Sequence, residues 1–336
     1  MPIVEFDGAI DLAQFWPTGT SDADTSKVVV RLAGGIRVRA AAGAGARRTR
    51  VYDGAFARVN GRRVPLIDAR GELVVRLQGV DAPELHARPR PMKGPGGADW
   101  SLAGRGLVKD YRQAQAETAT LRLARHLAGL AAGAASVKCR FSSYLRPGEG
   151  PASVIDMFGR FVGSLAVGRG VLNHWLLKNG LALPALYSGM DLDNEIKPLL
   201  AAWERGREQG IALHYTPLFG RFDPARVLRP GGAPQAERAG FIHPKFFRRQ
   251  VSWYAYRKAG HFKGGFGAFM RLSGEQAMLL ADVLAGQDSA RVHALHAPQF
   301  MNARGLVVAP EQMVFKESPS SVYVEAGGRA VALREW

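Results

Sequence analysis

The chain has 336 residues, 47% hydrophobic and 22% charged, enough to bury a sizeable core and, as a prior, to form two domains. Lys and Arg total 45 against 29 Asp and Glu, a net charge of +16, which favours a polyanionic partner, nucleic acid ahead of an anionic membrane. The single cysteine, Cys139, excludes an intramolecular disulfide and a multi-cysteine zinc site, and the lack of a signal-like N-terminus or a membrane-length apolar run leads us to expect a cytoplasmic protein with no membrane association.

Two acids and a threonine, Asp22-Ala23-Asp24-Thr25, lead into a β-branched run to residue 32 that reads as a strand. Acids at a strand start are also common turn formers. Residues 33–50 are rich in Gly and Ala and carry Arg37, Arg39, Arg47, Arg48 and Arg50 with no acid among them, read as strands joined by a flexible tip. Apolar runs at 51–59 and 63–67 flank Asn60-Gly61, the best short hairpin signal in the chain. The run at 73–80 alternates, with Val75 and Leu77 pointing one way and Val74, Arg76 and Gln78 the other. It ends in Gly79-Val80-Asp81-Ala82-Pro83-Glu84, a tight corner carrying two carboxylates with an arginine upstream. Those groups could hold a metal, take a proton and bind a phosphate, or could be a solvated turn.

Pro and Gly interrupt residues 85–106, and a helix is expected over 109–131 with Leu121, Ala124, Leu127 and Ala128 on one face. A strand at 136–142 makes Cys139 a buried apolar residue. Asp156-Met157-Phe158-Gly159-Arg160 runs into another strand, and helices at 171–179 and 192–209 stop at Gly180 and Gly210. Residues 227–240 are rich in Pro and Gly. Beyond them, 241–271 holds seven Lys and Arg and no acid. There Lys245, Arg248, Arg249, Tyr256, Arg257, Lys258 and Lys263 interleave with Trp253 and other rings, a pattern that suits single-stranded nucleic acid. An amphipathic helix with its rings in a core would read the same way. Ser273-Gly274-Glu275-Gln276 looks like a capping box opening a helix to about 284, and three or four short strands are expected over 306–336.

Four of these segments, taken in order, resemble the staphylococcal nuclease-like (thermonuclease) family over residues of about 20–213. Asp22-Ala23-Asp24-Thr25 is similar to its D-G-D-T start, and Arg76-Leu77-Gln78-Gly79-Val80-Asp81-Ala82-Pro83-Glu84 to its R-L-x-G-I/V-D-x-P-E. Asp156 to Arg160 is similar to D-x-Y-G-R, and Val171 to Ala182 to the helix that follows it. The resemblance implies an α+β fold with an OB-type five-stranded β-barrel and three helices. It would occupy 1–213, with insertions at about 33–72 and 85–108. A linker at 214–240 and a basic C-terminal α/β domain at 241–336 complete the expected organisation.

The resemblance also implies Ca²⁺-dependent hydrolysis of DNA or RNA phosphodiesters, with Mg²⁺ or Mn²⁺ as substitutes. Asp24 and Asp81 would be carboxylate ligands of the metal, Ala82 would give its backbone carbonyl, and Glu84 would activate water. Arg76 and Arg160 would clamp the phosphate. Phe158 and Tyr187 are the rings nearest the positions where nucleotide contacts fall. An alternative first segment, Val51-Tyr52-Asp53-Gly54-Ala55-Phe56, lies closer to Arg76 but would offer Ala55 at the second acid position. The competing functions are a nuclease-like module that binds nucleic acid without cutting it, and a scaffold for an acidic protein.

Overall fold

The structure is a computed structural model describing residues 3–30, 36–39, 47–49, 51–59, 61–146, 148–208, 229–230, 242–285, 292–302, 305–317 and 320–334. Five strands close into a barrel: β1 (Ile3–Asp11), β2 (Thr25–Val30), β3 (Glu72–Leu77), β4 (Ser136–Tyr144) and β5 (Phe161–Val167). Around the barrel the order is β1-β2-β3-β5-β4 and back to β1. Every pair is antiparallel except β3 with β5, where Phe161 lies opposite Val75. The closure follows from alternation. Val4, Phe6 and Ile10 on β1, Leu73, Val75 and Leu77 on β3, and Phe161 and Leu165 on β5 all point inward. Inside, the Phe6 ring stacks on Phe141 at 4.5 Å and meets Phe161 edge-on at 5.6 Å. Gly163 makes room for this, because a Cβ there would fall 2.6 Å from the Phe141 ring and 2.5 Å from the Ser142 carbonyl oxygen. Cys139 is buried, and burial pushes its thiol up to about 12.

The interruption between β2 and β3 is built of strands. Ile36–Arg39 continues the sheet beside β1 and pairs with Arg47–Thr49. Phe56–Val59 and Arg62–Pro65 form the expected hairpin, with Arg58 opposite Arg63. The Ala- and Gly-rich tip at 40–46, Arg50 and Asn60 lie outside the described residues.

Helix α1 (Ala116–Ala131) buries Ala116, Ala119, Thr120, Leu123 and Leu127 at helical spacing. It begins later than expected because Tyr111–Arg112 is extended, pairing with Arg229–Pro230, and Gln113 is tied to the Glu84 backbone. Helix α2 (Leu172–Lys178) ends ahead of the left-handed Gly180, at φ 63°. Helix α3 (Lys197–Glu208) is preceded by a wider turn, Leu192–Ile196, capped by Asp191. Helix α4 (Pro244–Lys258) starts with proline in its first turn, and His243 Nδ1 accepts the Lys245 amide at 3.2 Å. Helix α5 (Phe266–Ser273) stops at Gly274, which is left-handed at φ 65°. The helix expected from 273 to 284 is therefore corrected to a strand, Gln276–Leu279, and one short helix, Leu280–Leu284. Glu275, read as a capping residue, is instead taken by Lys245 and Arg249. Among the described residues no helix is long and apolar enough to cross a membrane.

The last third shares its sheets with the first two. Gly79–Asp81 pairs with Leu183–Tyr187, which pairs in parallel with Met313–Phe315, and that strand pairs with Gln276–Leu279. Val322–Ala326 joins the 56–65 hairpin. Val314 faces the barrel core, while Met313 and Phe315 face a second core containing Phe246, Tyr256, Phe269 and Trp100. The second core is built mostly from residues of the last third, with Trp100 and Leu102 entering it from the earlier part of the chain. Only Arg229–Pro230 of the expected linker is described.

Gly163→Ala should destabilise the fold by about 1–3 kcal/mol by forcing the Phe141 ring aside, read as a lower denaturation midpoint at unchanged slope. Burial alone would raise the Glu275 carboxyl, but Lys245 and Arg249 hold it down at about 2. A depressed carboxyl stabilises the fold above its unfolded pKa. That stability should fade as pH falls from about 4.5 towards 2. Thermal melts across this window should show the loss in the native chain and a flatter profile in Glu275→Gln.

Candidate functional site

Arg76 stands on the outer face of the barrel wall, opposite Thr25 on β2 and Val162 on β5. Asp24 immediately precedes β2, and its carbonyl accepts the Leu77 amide at 2.8 Å. Beyond β3 the chain reverses at Gly79, left-handed at φ 75°, where a Cβ would also fall 2.2 Å from the Leu199 side chain. This corner returns Asp81 to Arg76. One guanidinium nitrogen of Arg76 meets Asp24 Oδ1, and the other meets Asp81 Oδ1 and the Val80 carbonyl. The Ala82 amide donates to Asp24 Oδ2 at 2.5 Å, and Thr25 Oγ1 donates to Asp24 Oδ1 at 3.2 Å. Both aspartates are fully buried. Asp24, and not the exposed Asp53, is the acid that joins Arg76 and Asp81.

Glu84 is fixed through its backbone. Its amide donates to Gln113 Oε1 at 3.2 Å, and its carbonyl accepts the Gln113 amide at 2.8 Å. Asp22 closes the floor by accepting the Leu85 amide at 2.7 Å. Burial, reinforced by Glu84 and Asp24, raises the Asp22 carboxyl well above its usual range. Glu84 is also raised, by burial first and by Asp81 and Asp24 next, against the pull of Arg248.

Arg248, on α4, reaches into the same cluster. Its Nη1 and Nη2 lie 3.1 and 3.2 Å from Asp81 Oδ1 and Oδ2, and Nη1 also meets Glu84 Oε1. Burial works against the ionised Asp81, but Arg248 and Arg76 outweigh it and hold the carboxyl well below the ordinary range. Helix α4 is anchored for this task at several points. Gln113 Nε2 donates to the Ile242 carbonyl at 2.6 Å, His243 Nε2 faces the Pro184 carbonyl at 3.3 Å, and the Arg90 amide donates to Ser252 Oγ at 3.1 Å. His243 Nδ1, 3.6 Å from Asp81 Oδ2, accepts the Lys245 amide, so the ring is neutral. Burial keeps its pKa down at about 4.

The remaining expected residues divide. Arg160 lies just before β5 and is paired with Asp156 at 2.6 Å; its guanidinium is 5.2 Å from the Phe158 ring centre. No ion pair links it to Asp24, Asp81 or Glu84 among the described residues. Asp156 organises its own turn by accepting the Phe158 and Arg160 amides. Tyr187 packs on Phe315 with Lys245 Nζ 5.4 Å from its ring centre, and its hydroxyl is close enough to act electrostatically on Arg76 and Arg248. Lys245 and Arg249 bind Glu275 rather than standing free. The stacking expectation for Tyr256 and Trp253 is corrected, because both rings are buried in the second core. Arg257, Lys258 and Lys263 are exposed beyond that core, with Arg257 over Trp253 and Lys258 beside Tyr254.

Sequence reasoning missed Gln113, His243 and Arg90, and missed that Arg248 turns inward. His243-Pro244 does carry a readable helix-start signal. Nothing in the sequence says where that helix docks.

The carboxylates offer hard oxygens of the kind Ca²⁺ takes. Their arrangement does not fit an ion. Both oxygens of Asp24 and both of Asp81 already accept N–H groups, and among the described residues no three His, Cys, Asp or Glu are grouped to hold a metal. Ala82 presents its amide, not its carbonyl, to Asp24. A cation would have to displace Arg248 or Arg76 to reach these oxygens. No protein-family model matches the chain, and no curated protein matches it.

Removing one partner of a buried ion cluster leaves uncompensated charge. Arg248→Ala should therefore destabilise the protein by about 3–5 kcal/mol. In the Arg248→Met, Glu84→Gln double variant part of that loss should return, which a double-mutant cycle of urea denaturations would measure.

Proposed function

We propose that this protein binds nucleic acid and hydrolyses its phosphodiester bonds on the outer wall of an OB-type, staphylococcal nuclease-like barrel. The observation that carries the reading is convergence. Asp24 from one stretch of sequence meets Arg76, Asp81 and Glu84 from another in one buried cluster beside a five-stranded barrel of order β1-β2-β3-β5-β4. The net charge of +16 supports a polyanionic substrate.

In this reading Glu84 is the general base. Burial raises its carboxyl towards the range in which a proton can be taken and released. It removes a proton from water as the water oxygen bonds to phosphorus and the bond to the leaving ester oxygen breaks; the leaving oxygen takes a proton from a solvent water, and Glu84 returns its own to solvent, which restores the site. Arg76 and Arg160 stabilise the charge that builds on the phosphoryl oxygens. An incoming phosphate competes with Asp81 and Glu84 for the guanidinium donors of Arg248.

One observation favours a second reading, a module that binds nucleic acid and does not cut it: Arg248 already sits on Glu84 Oε1, where a base must be free. The full chain, incubated with single- and double-stranded DNA and RNA in EDTA or in a series of divalent ions, separates the two. Cleavage that falls about 100-fold or more in Glu84→Gln and Arg160→Ala, each shown by a cooperative thermal melt to remain folded, is the expected result. Salt-sensitive binding without cleavage in any ion establishes the second reading. Neither binding nor cleavage excludes both.

A further inference from the structure

Arg90 is a cation in search of a counter-ion. It lies in the 85–108 insertion, between Pro89 and Pro91, whose rings restrict the backbone on either side. That backbone is pinned to α4 at two points one helical turn apart. Its amide donates to Ser252 Oγ at 3.1 Å, and its carbonyl accepts the Tyr256 hydroxyl at 2.8 Å. The side chain is half-buried, with the guanidinium 5.2 Å from the ring centre of Phe158. Arg160 lies against that same ring at 5.2 Å. Among the described residues no acid lies within ion-pair distance of Arg90. The neighbouring Arg160, Arg248 and Arg249 are each matched by a carboxylate. Burial, then Arg249 and Arg248, push the Arg90 pKa down to about 10, against the weaker opposing pull of Glu275 and Glu84, which are already paired with other cations. A partly desolvated guanidinium among like charges is unfavourable by itself, and its rigid mounting stops it from escaping to water. A planar guanidinium matches phosphate oxygens with paired donors.

We propose that Arg90, sharing the Phe158 ring with Arg160, forms a second anion subsite that grips the strand phosphate adjoining the one that Arg160 helps to hold at the carboxylate cluster. The inference rests on the nucleic-acid reading above. It adds that the protein recognises a polynucleotide through two successive phosphates, with the second contact supplied by the insertion. Phe158 keeps the two guanidiniums apart and offers them an apolar wall.

The test is binding, not cleavage. A fluorescein-labelled oligothymidylate about twelve nucleotides long is titrated with the full chain in EDTA over a range of salt concentrations, and anisotropy gives the slope of log affinity against log salt. Losing one phosphate contact to a single strand should flatten that slope by about 0.7 in Arg90→Gln. Arg90→Lys should keep the native slope, because a charge remains. Arg122→Ala, on the exposed side of α1, serves as the control and should also keep it. Thermal melts establish that each variant is folded. A native slope in folded Arg90→Gln overturns the subsite while leaving the nucleic-acid reading standing, as does an equal loss in Arg90→Gln and folded Arg90→Lys. A native chain that binds no oligonucleotide overturns the nucleic-acid reading and the subsite with it.

Discussion

The bridge that Arg76 makes between Asp24 and Asp81 is the constraint around which the rest of the molecule is arranged. Two fully buried carboxylates against one barrel wall are tolerable only if their charge is met by nearby donors. Arg76 meets it from the wall, the Ala82 amide meets it from the corner, and Arg248 meets it from a helix far along the chain. Each donor fixes an element. Asp24 ties the start of β2 to the corner, Asp81 fixes the corner under β3, and Arg248 sets where α4 lies. One set of charges therefore fixes three elements that are far apart in the chain.

Much of this was legible in the sequence. Alternation in 73–80 places Arg76 on the outer face, because Val75 and Leu77 must go inward. The Asn60-Gly61 hairpin, Gly180 as the end of α2 and buried Cys139 follow from local chemistry, which acts within a few residues. Long-range pairings were not legible. Arg248 and Arg249 are adjacent and chemically alike, yet one enters the Asp81–Glu84 cluster and the other binds Glu275. Only the docking angle of α4 separates them. Trp253 and Tyr256 look like a stacking surface because aromatic residues serve cores and ligands alike. Gly274 illustrates a local signal that competes with another: the capping-box pattern is present, but a left-handed glycine sits inside it.

The segments at 33–72 and 85–108 are where the described chain departs most from a compact barrel, and both carry contacts that hold other elements. The 33–72 segment extends the barrel sheet and supplies the hairpin on which Val322–Ala326 pairs. The 85–108 segment sends Trp100 into the second core against Tyr256 at 5.5 Å and mounts Arg90 beside Phe158. Proline and glycine, which mark the segment as irregular, also make it rigid: Gly94 leaves just the space that the Trp100 indole fills. Lack of regular secondary structure here does not mean lack of fixed position.

The strand Met313–Phe315 comes late in the chain but lies in the interior of a sheet, between Leu183–Tyr187 and Gln276–Leu279. During synthesis the apolar strand at 183–187 emerges with one flank paired to Gly79–Asp81 and the other open until more than a hundred further residues have followed. An unpaired, hydrophobic strand edge is a template for association with other chains. The nascent protein thus passes through a period when its barrel strands are made but its surface is sticky. The last third thus closes an edge as well as adding mass, and the open flank of the strand at 183–187 is covered only when it arrives.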